Sequence, residues 1–255
     1  NLATTPSIVQ TLRNEGVPAT FFMLGYKLET PETRALALEI HADPLFEVAN
    51  HSYSHARFTT LTIEQMRSEI ALTNQNLRIA LGEACHHPRF FRIPYSASNC
   101  ESAGAVREYG LSMVGFHVDT LDWCYAIGSG YCSPAYVSWL PPQYQSDMVG
   151  WTLTRLALSG GGVAILHDSQ VNTAAQLPAA IRARLSAAAK AGWGCCSSIP
   201  RQPRRRGGRR SCRRAGRARL SPAGLGSASS ALATTHRPCC CRMSPGSKAS
   251  NWSRW

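Results

Sequence analysis

The sequence predicts an α/β fold built from parallel β-α units, and two observations support this prediction. Short apolar runs of strand length alternate with longer segments of helical periodicity across residues 1–194. Polar residues that can do chemistry directly follow several of the apolar runs, which is where parallel α/β proteins place their sites. A chain of 255 residues with 44% hydrophobic residues is also long and apolar enough for one domain with a full core.

The positive charge of the chain is concentrated at its C-terminal end. The formal net charge is +12, from 27 lysines and arginines against 15 acidic residues. Residues 195–255 hold 14 of the cations and none of the acids, which leaves 13 cations and 15 acids, a net charge of −2, in residues 1–194. We therefore predict a near-neutral domain over residues 1–194 and a basic low-complexity tail over residues 195–255 that is disordered or read out of frame.

Local signals define the elements of the first part of the chain. Thr62 with Gln65 three residues later forms a capping box, and an apolar stripe of helical spacing runs from there to Gly82. This is the clearest helix in the sequence. Further helices are predicted over residues 5–16 and 31–40, and buried strands over residues 19–25 and 46–49.

The second part of the chain continues the alternation of strands and helices. Strands are predicted at residues 90–95, 111–118 and 162–166, and helices at residues 101–109, 147–158 and 176–190. Strands separated by helices pair in parallel, because each helix returns the chain to the same end of the sheet. The full pattern therefore favours a β/α barrel or a related layered fold.

Two histidines four residues apart, His51 and His55, follow the strand predicted at residues 46–49. If the backbone turns helically there, both imidazoles can face one point, and that point would suit a metal ion. Taken alone, the spacing also fits two ordinary surface or partly buried histidines.

Other polar residues occupy equivalent places further along the chain. Arg92, Asp119, Asp122 and His167 each lie at the carboxyl end of a predicted strand. In a β/α barrel these ends share one rim, so we expect all four side chains to lie near the two histidines.

Five segments resemble motifs of the polysaccharide deacetylase family, the NodB-like carbohydrate esterases, and they occur in the family's order within residues 4–193. They are ATFFMLG at residues 19–25 (family pattern A-T-F-F-x-x-G), HSYSH at 51–55 (H-[ST]-x-x-H), RIPY at 92–95 (R-x-P-[YF]), DTLDW at 119–123 (D-x-x-D-W) and LHD at 166–168 (L-x-H or L-H-D). The resemblance implies a distorted (β/α)7-type barrel.

The resemblance also implies a hydrolase that releases acetate from the N-acetyl groups of a glycan such as a chitin oligomer or peptidoglycan. His51 and His55, together with an aspartate, would bind a divalent metal, with zinc favoured and cobalt or another divalent ion as alternatives. His167 would be the general acid, and Asp122 would orient it and keep it basic.

The remaining motif residues would act next to the substrate. Arg92 would orient the catalytic carboxylate through a charge-assisted hydrogen bond, and the backbone N–H of Tyr95 would help hold the oxyanion. Trp123 and Leu166 would line the small pocket for the acetyl methyl group. Without the resemblance, Trp123 and Leu166 fit the core equally well, and Asp168 fits a role in structuring its loop.

The chain departs from the family pattern in one respect that concerns catalysis. The family's motif T-F-D-D-G-[PS], which supplies the general base and the third metal ligand, does not occur in this sequence. We therefore expect an N-terminally truncated domain that lacks its first strand, binds metal more weakly and shows little or no turnover.

Cysteine spacing and composition bear on the compartment. Cys124 and Cys132 flank a short loop that a disulfide would close, although free thiols fit the spacing nearly as well, and Cys85 with Cys100 is a second candidate pair. The family implies an extracellular, periplasmic or cell-envelope protein, while no signal peptide and no apolar run of membrane-spanning length is visible.

Several functions remain open on the sequence alone. Besides an amidase that acts as a monomer on an acetylated glycan, they include an esterase for acetylated xylan and a catalytically dead glycan-binding relative. The third alternative is binding of nucleic acid or another polyanion, which we expect only through the arginine-rich tail.

Overall fold

The computed structural model of the protein describes residues 1–82 and 87–190. Helices and short strands alternate along this part of the chain. The helices are α1 (Thr5–Asn14), α2 (Pro31–Ala42), α3 (Ile63–Leu81), α4 (Cys100–Glu108), α5 (Asp122–Ile127), α6 (Met148–Leu158) and α7 (Val171–Lys190). The strands are β1 (Ala19–Met23), β2 (Phe46–Asn50), β3 (Phe90–Phe91), β4 (Ser112–Met113), β5 (Val118–Asp119) and β6 (Ala164–Ile165).

The strands form two parallel sheets, which confirms the predicted α/β class. One sheet has the order β1-β2-β3-β4, and the other pairs β5 with β6. In the first sheet the register places Met23, Asn50, Phe91 and Met113 in one row, so the four strands end at the same edge. Residues that directly follow this row are therefore brought side by side.

The sequence predicted a single strand over residues 111–118, and this prediction was wrong. The run is divided between β4 and β5, which belong to different sheets. Val114 still donates its backbone N–H to Phe91, but its carbonyl oxygen accepts the Nη1 of Arg92 at 2.9 Å. The buried side chain of Arg92 therefore occupies the carbonyl oxygen of Val114. If β4 were longer, this oxygen would accept a backbone N–H from a neighbouring strand.

Local signals placed the ends of α3 and the start of α6 correctly. The capping box of Thr62 and Gln65 is present at the start of α3, and Gly82 ends the helix in a left-handed conformation with φ 66°. Asp147 caps α6 by accepting the N–H of Gly150. The last helix begins at Val171, earlier than the predicted residue 176, and α5 was not predicted at all.

The core consists of three clusters of buried residues rather than one continuous layer. The first joins α1, α2 and α3 to β1 and β2, and the second lies between α3, β3 and α4. The third surrounds the disulfide of Cys124 and Cys132 and includes Tyr125 and Trp151. The first two clusters include residues of β1, β2 and β3, the strands that precede the histidine loop and Arg92.

The disulfide between Cys124 and Cys132 is formed, which confirms the first of the two candidate pairs. Both cysteines are fully buried, and their sequence separation is 8. Cys85 lies outside the described residues, as does the boundary predicted near residue 194 together with the basic tail. Within the described part of the chain, no helix is long and apolar enough to cross a membrane.

Replacing both Cys124 and Cys132 with alanine is expected to lower the free energy of unfolding by about 2–3 kcal/mol, because the short loop gains freedom in the unfolded state. Urea unfolding of the oxidised protein measures the change. Cys100→Ala, at an exposed position of α4, is the control and should stay within about 0.5 kcal/mol. Equal stability of the double variant and the parent would contradict the prediction.

Candidate functional site

His51 follows the last residue of β2, and its ring is held by the neighbouring strand. Its backbone N–H donates to Met23, and its Nδ1 lies 2.7 Å from the carbonyl oxygen of Arg92. A carbonyl oxygen can only accept, so Nδ1 carries the proton and Nε2 keeps its lone pair. The tautomer of His51 is therefore the one that can bind a metal through Nε2.

The ring of His55 is brought to that of His51 by a left-handed loop, not by the helical turn that the sequence analysis required. Ser52 has φ 70° and His55 has φ 65°, and the ring centroids of the two histidines lie 4.9 Å apart. The loop is closed by Ser52, whose Oγ accepts the backbone N–H of His55 at 3.1 Å. The two imidazoles thus lie together although the backbone between them is not helical.

Both histidines are kept neutral by their surroundings. Burial lowers the pKa of His51 to about 4, although its hydrogen bond to the Arg92 carbonyl acts in the opposite direction. Burial also lowers the pKa of His55, and the positive charge of His167 adds to the effect at both rings. Neutral imidazoles are the form that coordinates metal ions, and the influence of His167 places it within electrostatic range of the pair.

The two histidines suit a divalent cation as two ligands of a set. Among residues 1–82 and 87–190, no group of three or more His, Cys, Asp or Glu side chains is positioned to hold a metal ion. Three protein ligands are usual for a catalytic zinc ion. The described residues therefore fit the metal that the family implies only in part.

Asp122, which is buried, and His167, which is half-buried, form an acid–imidazole pair at the ends of the second sheet. His167 follows β6, and its Nδ1 donates to Oδ1 of Asp122 at 2.8 Å. The carboxylate is fully buried and accepts three more hydrogen bonds, from the backbone N–H groups of Trp123 and His167 and from the hydroxyl of Thr173. Four donors therefore satisfy both carboxylate oxygens, and neither oxygen of this buried side chain lacks a hydrogen-bond partner.

The pKa of His167 is raised above its ordinary value. Burial by itself lowers this pKa, but the hydrogen bond that His167 donates to Asp122 and the negative charges of Asp122, Asp119 and Asp168 outweigh it. Because Nδ1 is committed to Asp122, Nε2 is the atom at which His167 gains or loses a proton. The side chain is 39% exposed, which leaves it accessible to a substrate.

Arg92 is 7% exposed and lies beside His51 in the first sheet. Its guanidinium donates to the carbonyl of Val114 and to the hydroxyl of Ser96, and it lies 4.5 Å from the ring centre of Phe116. Burial lowers its pKa, and the charge of Asp119 opposes that effect. These contacts fix a buried cation at the end of β3, the strand that pairs with β2.

The other three predicted site residues lie around the same region with different exposure. Tyr95 has φ 57°, is 56% exposed, and its ring centre is 4.6 Å from that of His55. Trp123 is half-buried against the disulfide cluster, and Leu166 is 36% exposed beside His167. Asp168 accepts the hydroxyl of Thr5 at 2.7 Å, consistent with a role in holding its loop.

Two residues that support the histidine loop were missed in the sequence analysis. Glu69 of α3 accepts the backbone N–H groups of Tyr53 and Ser54. Asn50, which is fully buried, accepts the backbone N–H of Ser52 and donates to Asn74. Neither residue belongs to one of the five motifs. Glu69 is also more than ten residues from Tyr53 and Ser54 in the sequence, so the spacing of side chains does not predict this contact.

Comparison with known proteins shows similarity to one family. The polysaccharide deacetylase family model matches residues 2–114. A peptidoglycan-N-acetylglucosamine deacetylase of Bacillus cereus is 32% identical over 48% of this chain and 42% of its own length. A chitooligosaccharide deacetylase of Bradyrhizobium is 31% identical over 47% of this chain and 52% of its own length. Residues 2–114 therefore match the model of the polysaccharide deacetylase family, the family that the motifs had indicated.

A solved structure extends the similarity to the second sheet. A family 4 carbohydrate esterase from Streptomyces lividans, determined in complex with acetate, has a TM-score of 0.55 and is 29% identical. The match covers 72% of this chain and 81% of that one. By contrast, the chain spans only about half the length of the two curated relatives above.

Proposed function

We propose that the protein is a metal-dependent deacetylase that hydrolyses N-acetyl groups on a glycan of the peptidoglycan or chitin-oligomer type. The observation that supports this most is the arrangement of two chemical groups that follow strands of the two sheets. The paired imidazoles of His51 and His55 lie within electrostatic range of the Asp122–His167 pair. Hydrolysis breaks the C–N bond of the acetamide, adds hydroxide to the acyl carbon and returns a proton to the amine, so it needs both an electrophile and an acid.

His51 and His55 would hold the metal, and two imidazoles favour zinc, with cobalt or another divalent ion as alternatives. When bound, such an ion polarises the acetyl carbonyl and lowers the pKa of water. The bond from His51 Nδ1 to the Arg92 carbonyl supports this role because it fixes the ring and leaves Nε2 to coordinate.

His167 would act as the general acid. Its raised pKa keeps Nε2 protonated to higher pH than in a free imidazole, and that proton would pass to the leaving amine. Asp122 would hold the ring in this tautomer through its bond to Nδ1.

The other motif residues would complete the acyl site. The N–H of Tyr95 would hold the oxyanion, and Trp123 with Leu166 would line the acetyl-methyl pocket. Arg92 would orient a catalytic carboxylate. Its guanidinium is buried and fixed by Val114 and Ser96, which supports an orienting role over a mobile one.

We propose further that this chain by itself turns over slowly, because the described residues bring no third metal ligand to the two histidines. With zinc and N-acetylglucosamine oligomers, acetate release is expected to fall far below about 1 s⁻¹, the low end of typical enzyme turnover. Zinc should nevertheless shift the imidazole NMR signals of His51 and His55. Rapid acetate release would overturn slow turnover, whereas a zinc titration that leaves both imidazoles unshifted would overturn the metal site.

A catalytically dead glycan-binding protein is the second candidate, and the incomplete ligand set favours it. Such a protein would bind chitin oligomers with the same affinity in the presence and absence of zinc. The metal-dependent enzyme predicts tighter binding with zinc. Calorimetry of both conditions separates the two candidates, and xylan acetate as substrate tests the esterase variant.

The remaining aspects of the proposal concern the whole protein. We infer that the two sheets are arcs of one (β/α)7-type barrel, which the similarity to the Streptomyces lividans esterase supports. The name of the Bacillus cereus relative supports a location outside the cytoplasm or in the cell envelope. We also propose a monomer, with any nucleic-acid binding confined to residues 195–255 and lost at high salt.

A further inference from the structure

We propose that Glu69 is the positioning residue that holds the loop of residues 51–55 in the shape that brings the imidazoles of His51 and His55 together. The metal-binding part of this proposal rests on the proposed function. The loop geometry does not, because it is visible without a metal.

Glu69 contacts the loop through both carboxylate oxygens. Its Oε2 accepts the backbone N–H groups of Tyr53 at 2.9 Å and Ser54 at 2.8 Å, and its Oε1 accepts the hydroxyl of Ser54 at 2.7 Å. Hydrogen bonds to an ionised acceptor are roughly twice as strong as neutral ones. One side chain thus fixes the two residues that lie midway between the histidines.

The opposite edge of the loop is held by the segment after β1. Gly25 and Tyr26 donate their backbone N–H groups to the carbonyl oxygens of Ser52 and Tyr53, at 3.0 and 3.2 Å. The carbonyl side of the loop is therefore anchored to the first sheet. Glu69 supplies the matching anchor on the N–H side.

The loop needs an anchor on each side because its backbone is strained. Ser52 and His55 both have positive φ, a conformation that is disfavoured for a non-glycine residue. Such a conformation persists only where contacts enforce it. Without the N–H anchor, Ser52 and His55 can relax to negative φ, which rotates the ring of His55 away from His51.

The position of Glu69 is itself rigid. It lies in α3 next to the fully buried Ile70, and its backbone carbonyl accepts the hydroxyl of Thr73 at 2.9 Å. The same helix receives the side chain of Asn50 from the end of β2. The carboxylate is therefore fixed relative to the strand from which the loop departs.

The first test uses the full chain without metal and follows the loop by NMR. In Glu69→Ala, amide exchange at Tyr53 and Ser54 should accelerate at least about tenfold, and the cross-relaxation signal between the rings of His51 and His55 should disappear. Glu69→Gln should restore much of both, because its amide oxygen can accept both N–H groups. Glu64→Ala, an exposed glutamate of the same helix, is the matched control and should change neither.

The second test measures zinc affinity by calorimetry. Loss of a residue that orients a metal ligand typically weakens binding by about 10–100-fold. We expect a loss in this range for Glu69→Ala, a smaller loss for Glu69→Gln, and none for Glu64→Ala.

The outcomes separate this proposal from the proposed function. If the parent protein binds no zinc, the proposed metal site fails, and the exchange experiment still decides the role of Glu69. Unchanged exchange and ring proximity in Glu69→Ala overturn the proposal, as does equal acceleration of amides throughout α3 and β2, which would indicate general destabilisation. If Glu69→Ala does not fold, Glu69→Gln and Ser54→Ala provide the comparison.

Discussion

Replacing Asp122 with asparagine is expected to lower the free energy of unfolding by about 3–5 kcal/mol, the range found when one partner of a buried charged pair is removed. The carboxylate is fully buried and accepts four hydrogen bonds. An asparagine amide turns its NH2 group toward at least one of these donors whichever way it is oriented. Denaturant unfolding at constant pH gives the measurement.

The same substitution is expected to lower the pKa of His167. In the parent protein, burial lowers this pKa, and the hydrogen bond and charge of Asp122 raise it by more. With Asp122→Asn the raising effects are removed, so His167 loses its proton at lower pH. Titration of the His167 ring by NMR gives the pKa, and any acetate-release activity should fall by about 10²–10⁴-fold.

Asp119→Asn provides the matched control for this pair. Burial raises the pKa of Asp119, and one of its oxygens accepts the N–H of Leu121. An amide oxygen can make the same hydrogen bond, so the change in stability should remain within about 1 kcal/mol. Similar losses of stability in Asp119→Asn and Asp122→Asn would contradict the prediction that the four hydrogen bonds of Asp122 cause the larger loss.

Asn50→Ala is expected to have the second large effect, a loss of about 3–5 kcal/mol in the free energy of unfolding. The side chain of Asn50 accepts the N–H of Ser52 and donates to Asn74 and to the carbonyl of Ile70. In the alanine variant, the backbone N–H of Ser52 and the side-chain oxygen of Asn74 lose this hydrogen-bond partner while they remain buried. Each unsatisfied group lowers the free energy of unfolding by about 1–3 kcal/mol.

The measurement for Asn50→Ala is urea unfolding, with Asn14→Ala as control. Asn14 is exposed and hydrogen-bonds only at the surface with Gln10, so its replacement should change stability by about 0.5 kcal/mol or less. A loss below about 1 kcal/mol for Asn50→Ala would show that the groups around it find other partners.

The elements that were predicted correctly are those whose signals are local in the sequence. Thr62, Gln65 and Gly82 act within one or two helical turns, and α3 has the predicted bounds. The order of strands and helices was also predictable, because it depends on apolar runs and their separation. The motifs at residues 19–25, 51–55 and 92–95 were recognisable for the same reason, since each is a short pattern, and all three lie within the residues that the family model matches.

What could not be predicted depends on contacts between distant residues or on unusual backbone conformations. Arg92 takes the carbonyl of Val114, and this ends β4 early. The pairing of His51 and His55 was predicted from their spacing, but through a helical turn that the structure does not contain. Positive φ at a serine and a histidine is disfavoured locally, so it cannot be inferred from residue types and is imposed by partners such as Glu69.

The left-handed residues around the site have a consequence for any attempt to make the protein more stable. Ser52, His55, Tyr95 and Leu121 all have positive φ without being glycine, and each forgoes about 1–2 kcal/mol relative to a relaxed conformation. Selection for heat resistance alone would therefore favour glycine or asparagine at these four positions. Two of the four, His55 and Tyr95, are predicted site residues, so the same selection would replace side chains that the proposed chemistry needs. Higher thermal stability would therefore come at the cost of activity at these positions.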